Sequence, residues 1–273
     1  WRPCTYNEKN ENMKITIFTS NNSRHNYLIN LMSSISSEIY VVQENNTIFP
    51  GLIPGHYKAS KVMEKYFKKV RDAQTKIFDS TFIKKNKNIN LIPMKSGDLN
   101  NFELNFFKDF LKSDFYLVFG SSYIKGDLAE FLINHKAVNI HMGISPYYRG
   151  NDCNFWALND NNPHLVGSTV HLLTRGLDSG PILYHSLSKK KYDNPFDYTM
   201  STVKSAFHSL KERIKDKSLF EIEPLIQDKK KEIRYTKKVD FTEQVVNEYL
   251  NKKININSKN FDLSLLKNPF FLD

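Results

Sequence analysis

Cysteine is scarce. The 273 residues hold only Cys4 and Cys153, too few to staple a small secreted scaffold or to supply a zinc knuckle by themselves. Long apolar runs are missing too: stretches such as FYLVF at Phe115 to Phe119 are of strand length, far below the ~20 residues that cross a bilayer, so no membrane association is expected. The leading WRPCTYNEKNEN is polar and does not read as a signal peptide, which points to a reducing cytoplasm. Met13, rather than Trp1, opens the first apolar alternation, so residues 1–12 read as an upstream remnant. No internal repeat occurs. His25, His56 and His185 have no metal-ligand spacing, and no metal is expected.

What is present describes a globular protein with one sizeable core, or one core and a small appendage: 40% of residues are hydrophobic and 25% charged. The formal charge of +10 would attract phosphates of a nucleotide or of RNA. Lysines nevertheless occur in most segments. The densest runs, Lys189 to Lys191 and Lys229 to Lys231, serve either as a phosphate rim or as solvated edges.

Apolar strands alternate with helical spacing along the first two thirds of the chain. MKITIFTS (13–20) is a strand, and Tyr27, Leu28, Leu31, Met32 and Ile35 mark a helix. EIYVVQ from Glu38 is a second strand, followed by a loop at 45–56 and a long amphipathic helix carrying Val62, Met63, Tyr66, Phe67, Val70, Ile77 and Phe78. INLIPMK from Ile89, FYLVF and AVNIH are further strands, with helices predicted at Phe102 to Leu111 and Leu128 to Ile133. This series predicts an α/β fold with a mostly parallel sheet and helices on both faces, its ligands beyond the strand C-termini. Gly120 and His141 stand at two such ends. GSTVHLLT (167–174) and PILYHSLS (181–188) then read as a hairpin-like excursion, and Asn194–Pro195 starts a helix through Ile214. The division expected is 13–215 as catalytic domain and 216–273 as a short C-terminal extension without clear periodicity.

Asn139 and His141 lie two residues apart at a strand end and so point to one face. An imidazole with an amide beside it, plus Asp178 on a Gly-flanked turn, can hold a proton, an oxyanion and an oriented ring. The surrounding string NIHMGISPYYRGNDCNFWAL, with VGSTVHLLTRGLDSGPIL, resembles the folate-dependent formyltransferase family from residue 13 to about 210. The resemblance rests on Asn139, His141, Pro146, Tyr148, Arg149, Gly150 and Trp156, then Gly167, Thr169, His171, Asp178 and Gly180.

That resemblance implies a Rossmann-like sheet and 10-formyltetrahydrofolate as co-substrate, with Asn139, His141 and Asp178 as the catalytic set. In this chemistry a neutral amine attacks the formyl carbon and the oxygen becomes negative. Asn139 is then an amide donor, His141 a donor or proton shuttle, and Asp178 the group that orients His141. The implied folate wall is Gly120, Ser121, Ser122, Tyr123, Ile124 and Lys125, with Gly176 and Leu177 beside Asp178. Thr169 and His171 read as packing residues, and Arg149 and Gly150 as residues that shape their loop.

The acceptor is read by departures from the family's branches. TSNNSRH after the first strand lacks the Gly-rich phosphate loop of the glycinamide ribonucleotide branch. The methionyl-tRNA branch carries a sizeable C-terminal module, whereas only residues 216–273 follow here. Asn151, Asp152 and Cys153 replace the small residues and proline usual after the catalytic strand. The amino-sugar branch fits best, with a nucleotide-linked sugar as the amine substrate. Arg24, His25 and the basic rim would meet its diphosphate, and Tyr147 and Phe155 would stack on sugar or base. The alternatives are a methionyl-tRNA formyltransferase, a formyltetrahydrofolate hydrolase using the same three residues on water, and a non-enzymatic binding module. The long helices allow a homodimer, but no heptad repeat specifies one.

Overall fold

The computed structural model describes residues 13–52, 59–79, 82–256 and 261–272; Cys4 and His56 lie outside them. β1 (Lys14–Ser20) leads into α1 (Ser23–Ser33), β2 (Glu38–Asn45), α2 (Lys61–Phe78) and β3 (Ile89–Lys95). β4 (Phe115–Phe119), α3 (Gly126–Asn134) and β5 (Val138–His141) complete the alternating series. The chain continues through β6 (Tyr148–Gly150), α4 (Cys153–Asn159), β7 (Ser168–Leu172), β8 (Ile182–Ser188) and α5 (Pro195–Lys215). β9 (Arg234–Thr236), α6 (Glu243–Asn251) and β10 (Phe270–Leu272) follow.

Eight strands form one sheet in the order β10-β8-β7-β5-β4-β1-β2-β3, so the expected α/β architecture with a mostly parallel sheet is the one observed. β3, β2, β1, β4 and β5 are mutually parallel, whereas β7 runs antiparallel to both β5 and β8. The run 167–188 is therefore no excursion: it widens the main sheet. From β1 the chain moves outward to β2 and β3 and then returns to β4 on the other side. That reversal opens a crevice beyond the C-terminal ends of β1 and β4.

Both sheet faces are covered, which explains the nearly uninterrupted apolar strands. Ile15, Ile17, Val41 and Leu117 pack with Leu28, Met32, Val203 and Phe207 from α1 and α5. Phe18, Val42 and Val118 face the other way, against Leu128 and Leu132 of α3 and against Phe107. Ser60 Oγ accepts from Met63 N to cap α2, and Asn194 Oδ1 accepts from Phe196 N and Asp197 N to cap α5, with Pro195 in its first turn.

The helix predicted at Phe102 to Leu111 does not form. Two 3-10 turns, Asp98–Asn101 and Leu104–Phe107, flank an extended Phe102. The Asn and Asp side chains of DLNNFELN favour local turns over a continuous helix. Phe107 is buried there, while Phe102 and Phe106 stack on each other in solvent, their ring centroids 4.1 Å apart. In residues 216–272, α6 is capped by Thr242, and its Val246 and Tyr249 join an aromatic cluster with Tyr66, Phe155 and Phe241. β10 adds to the edge of the main sheet through β8, and β9 pairs with β6. Among the described residues no helix is long and apolar enough to cross a membrane.

Candidate active site

β5 and β7 pair antiparallel, which sets Asn139 opposite His171 and His141 opposite Thr169. Asp178 arrives from the loop joining β7 to β8, its backbone held at φ +45°. Asp and Asn tolerate this left-handed conformation better than most residues. His141 Nδ1 lies 3.2 Å from Asp178 Oδ2, and Asn139 Nδ2 donates to Asp178 Oδ1 at 3.3 Å. Asn139, His141 and Asp178, distant in sequence, thus meet at one strand tip.

The pair is buried: the side chains of His141 and Asp178 are 6% and 12% exposed. Burial by itself disfavours charge on the imidazole, but the Asp178 carboxylate outweighs it and His141 is raised well above its ordinary value. Burial likewise opposes ionisation of Asp178, yet His141 holds it well below the usual carboxylate range. Each member of the pair thus favours the charged form of the other. Nε2 of His141 faces the Tyr148 carbonyl at 3.4 Å, a long contact for a hydrogen bond. Gly143 permits this packing, since a Cβ there would lie 2.6 Å from His141 Nε2 and 2.5 Å from Cys153 Cβ. Burial pushes the Cys153 thiol up, so it stays protonated beside the ring.

His171 does more than pack. Its Nδ1 is 2.8 Å from the Leu172 carbonyl, which only accepts, so this nitrogen carries the proton. Nε2 is left as an acceptor and takes a hydrogen bond from Asn139 Nδ2 at 2.9 Å. With one Nδ2 hydrogen on His171 and the other on Asp178, the amide edge without a partner among the described residues is Oδ1. Where the resemblance gave Asn139 a donor's role, the hydrogen-bond network turns its acceptor toward the cavity.

A cavity of about 290 Å³ opens beside these residues. Residues 120–124, together with Gly176, Leu177 and Asp178, line it. Lys125 is outside the lining: its backbone N–H donates to Asn100 Oδ1 at 2.8 Å at the start of α3. The 120–124 loop is fixed by a residue the sequence reading did not single out. Glu44, fully buried at the end of β2, accepts from Gly97 N (2.6 Å), Ser122 N (2.5 Å) and Ser122 Oγ (2.9 Å). No periodicity or spacing marks such a residue, because its partners come from loops after two other strands. Tyr123 reaches across to bond the Arg175 carbonyl, tying together the two loops that frame the cavity.

Arg24 and His25 also line the cavity from the start of α1. His25 is buried against Phe119, ring centroids 5.0 Å apart, and burial, with the nearby Arg24 charge, keeps it neutral. Burial lowers Arg24 to about 10, leaving it charged at neutral pH, and its Nε has no hydrogen-bond partner among the described residues. Burial raises nearby Asp152 to about 6, against the pull of Lys238 and Arg24. Tyr147 and Phe155 do not reach this space. Both are buried in the aromatic cluster, where Phe155 packs on Tyr249 at 4.4 Å between ring centroids and the Tyr147 hydroxyl donates to the Leu265 carbonyl. Their expected stacking on a ligand is corrected accordingly: apolar burial won both rings. Among the described residues no group of three His, Cys, Asp or Glu side chains is placed to hold a metal ion.

Residues 115–215 match the family model described as formyl transferase. No curated protein sequence matches the chain significantly. Among solved structures, a 4-N formyltransferase from Francisella tularensis is 18% identical, with 84% of this chain and 78% of that one covered and a TM-score of 0.52. Glycinamide ribonucleotide transformylase 1 from Symbiobacterium toebii is 15% identical, covering 83% and 100% of the two chains, with a TM-score of 0.52. An N-formyltransferase from Helicobacter canadensis, in complex with folinic acid and dTDP-3-aminofucose, is 15% identical, covers 89% and 75%, and has a TM-score of 0.50. The chain shares their formyltransferase fold.

Proposed function

We propose that this protein transfers a formyl group from 10-formyltetrahydrofolate to the primary amine of a nucleotide-linked sugar. The observation that carries the reading is the convergence of Asn139, His141 and Asp178 at the end of β5, beside a cavity at the reversal of strand order. Residues 13–215 are the catalytic unit in this reading, and 216–273 a C-terminal extension.

The folate derivative supplies the activated one-carbon unit. The wall at 120–124, anchored by Glu44, offers the polar backbone of a strand-ending loop to a flat heterocycle, with Gly176 and Leu177 opposite it. His141, held as an imidazolium by Asp178, gives up its long Tyr148 contact and donates from Nε2 to the formyl oxygen as that oxygen becomes negative. Asn139 Oδ1 accepts an N–H of the attacking amine, aiming the nitrogen lone pair at the formyl carbon. As the new C–N bond forms, the old bond to the folate nitrogen breaks. The proton lost by the amine is replaced, in net, on that leaving nitrogen.

A nucleotide sugar is favoured as acceptor by Arg24, whose charged guanidinium lines the same cavity without a carboxylate in hydrogen-bonding contact among the described residues. A diphosphate suits that fork. Two of the solved proteins that share the fold are a 4-N formyltransferase and an N-formyltransferase bound to dTDP-3-aminofucose. The test is incubation with 10-formyltetrahydrofolate and separate acceptors: a panel of nucleotide amino sugars, charged initiator tRNA, and buffer alone. A formylated nucleotide sugar is expected. Formylation confined to the tRNA, or formate release in buffer alone, would overturn the assignment.

A further inference from the structure

We propose that Gln227, in the C-terminal segment, is a positioning residue that holds Asp178 against His141. The inference rests on the reading of Asp178 and His141 as the reacting pair. Gln227 Nε2 donates to the Asp178 carbonyl at 2.9 Å and to the Gly180 carbonyl at 2.8 Å, so one amide group clamps both ends of the Asp178–Gly180 turn. The turn needs a clamp because Asp178 sits at φ +45°, a conformation its own backbone disfavours and its neighbours must enforce.

The clamp has a fixed base. Gly180 is pressed onto β7: a Cβ there would lie 1.7 Å from the Leu172 carbonyl oxygen and 2.9 Å from His171 Nδ1. Gly180 therefore cannot shift toward the sheet, and Gln227 refers the position of Asp178 to that point. Gln227 is itself delivered by an antiparallel bridge, in which Ile182 and Leu225 exchange backbone hydrogen bonds of 2.7 and 2.8 Å. On the other side of Asp178, Arg149 Nη2 donates to the Leu177 carbonyl at 3.3 Å while Glu232 holds Arg149 Nη1 at 2.8 Å. The C-terminal segment thus grips the aspartate loop from both flanks.

One further observation separates Gln227 from ordinary packing. Its Oε1 is buried with no hydrogen-bond partner among the described residues. Methionine or leucine would fill the space without an unsatisfied acceptor, so for packing alone the glutamine is the worse choice. Its two donors, not its bulk, account for it.

The expected consequence is electrostatic. Asp178 raises His141, so loosening the turn weakens the pair and lowers the imidazole toward its ordinary value. In Gln227→Met, which keeps the volume and removes both donors, kcat should fall about 10-fold or more while KM for either substrate changes little. The alkaline limb of the kcat–pH profile should move to lower pH. NMR titration of the His141 ring in the free protein should show the same displacement, and this reading needs neither substrate nor turnover. Gln227→Asn, an amide one methylene shorter, should move both readouts in the same direction by less. If Gln227→Met does not fold, Gln227→Asn carries the test alone. A folded variant in which His141 titrates as in the wild type overturns the clamp, whatever its activity. Displaced His141 titration in a protein that formylates no amine would leave the clamp standing and remove the proposed function instead.

Discussion

Asn139 donates from Nδ2 to His171 Nε2 at 2.9 Å, and this bond decides which edge of the amide the cavity meets. Because the Leu172 carbonyl fixes the proton of His171 on Nδ1, Nε2 can only accept, and the second Nδ2 hydrogen is taken by Asp178. Rotating the amide would set its oxygen against the Asp178 carboxylate, so the orientation is locked from two sides.

Asn139→Asp is accordingly the informative substitution at this position. It is nearly isosteric, yet it places a second carboxylate within about 3 Å of the first, and one of the two must then stay protonated. Turnover should fall about 100-fold or more, and His171 should lose a donor. Steady-state kinetics with the accepted amine check this. An Asn139→Asp protein with near-normal kcat would show that neither amide hydrogen matters.

The charge state of the His141–Asp178 pair predicts how stability depends on pH. His141 is raised in the folded protein, so its contribution is complete below its ordinary value near ~6.5 and is lost as pH rises through the raised folded value. Asp178 is depressed, so its contribution is complete above about 4 and is lost as pH falls through the depressed folded value. Between these limits the pair contributes fully. Asp178→Asn should remove the alkaline loss of Tm that belongs to His141 and shift the ring's titration to lower pH. Identical Tm–pH curves above neutrality in the two proteins would disprove the pairing.

Glu44 organises the wall at 120–124 through three hydrogen bonds from Gly97 and Ser122, although no side chain of its own lines the cavity. Glu44→Gln keeps the shape but turns a donor toward groups that are themselves donors. KM for the formyl-folate should rise about 10-fold, as expected for loss of charge-assisted bonds, with KM for the amine almost unchanged. A rise in the amine's KM alone would place the folate elsewhere.

Arg24→Met tests the acceptor end. If the guanidinium meets a diphosphate, its loss should raise KM for the nucleotide sugar about 10-fold or more and leave KM for the folate near its original value. Weaker salt dependence of acceptor binding should accompany the change, since one screened charge pair is gone. Equal effects on both substrates would argue that Arg24 serves the cavity's shape.

The five parallel strands β1 to β5 were legible in the sequence because each is a compact apolar run bounded by turn residues, and burial on both faces leaves that mark whatever the neighbours are. The long helices α2 and α5 were legible through their spacing and caps. Phe102 to Leu111 misled, since four phenylalanines and two leucines are outweighed locally by Asn and Asp, and two of the rings end in solvent. α6 escaped because nine residues give too short a window for periodicity, and the aromatic cluster it joins lies on α2 and α4.

At the site the same division holds. A strand's two-residue repeat by itself put Asn139 and His141 on one face. Strand order and register, which no local pattern carries, put His171 opposite Asn139, brought Asp178 back to His141, sent Glu44 to Ser122 and laid Gln227 across the aspartate turn. Local sequence determined the elements because propensity and burial act over a few residues. The chemistry awaited the tertiary structure, because hydrogen bonds of about 3 Å join groups that only the assembled sheet makes neighbours.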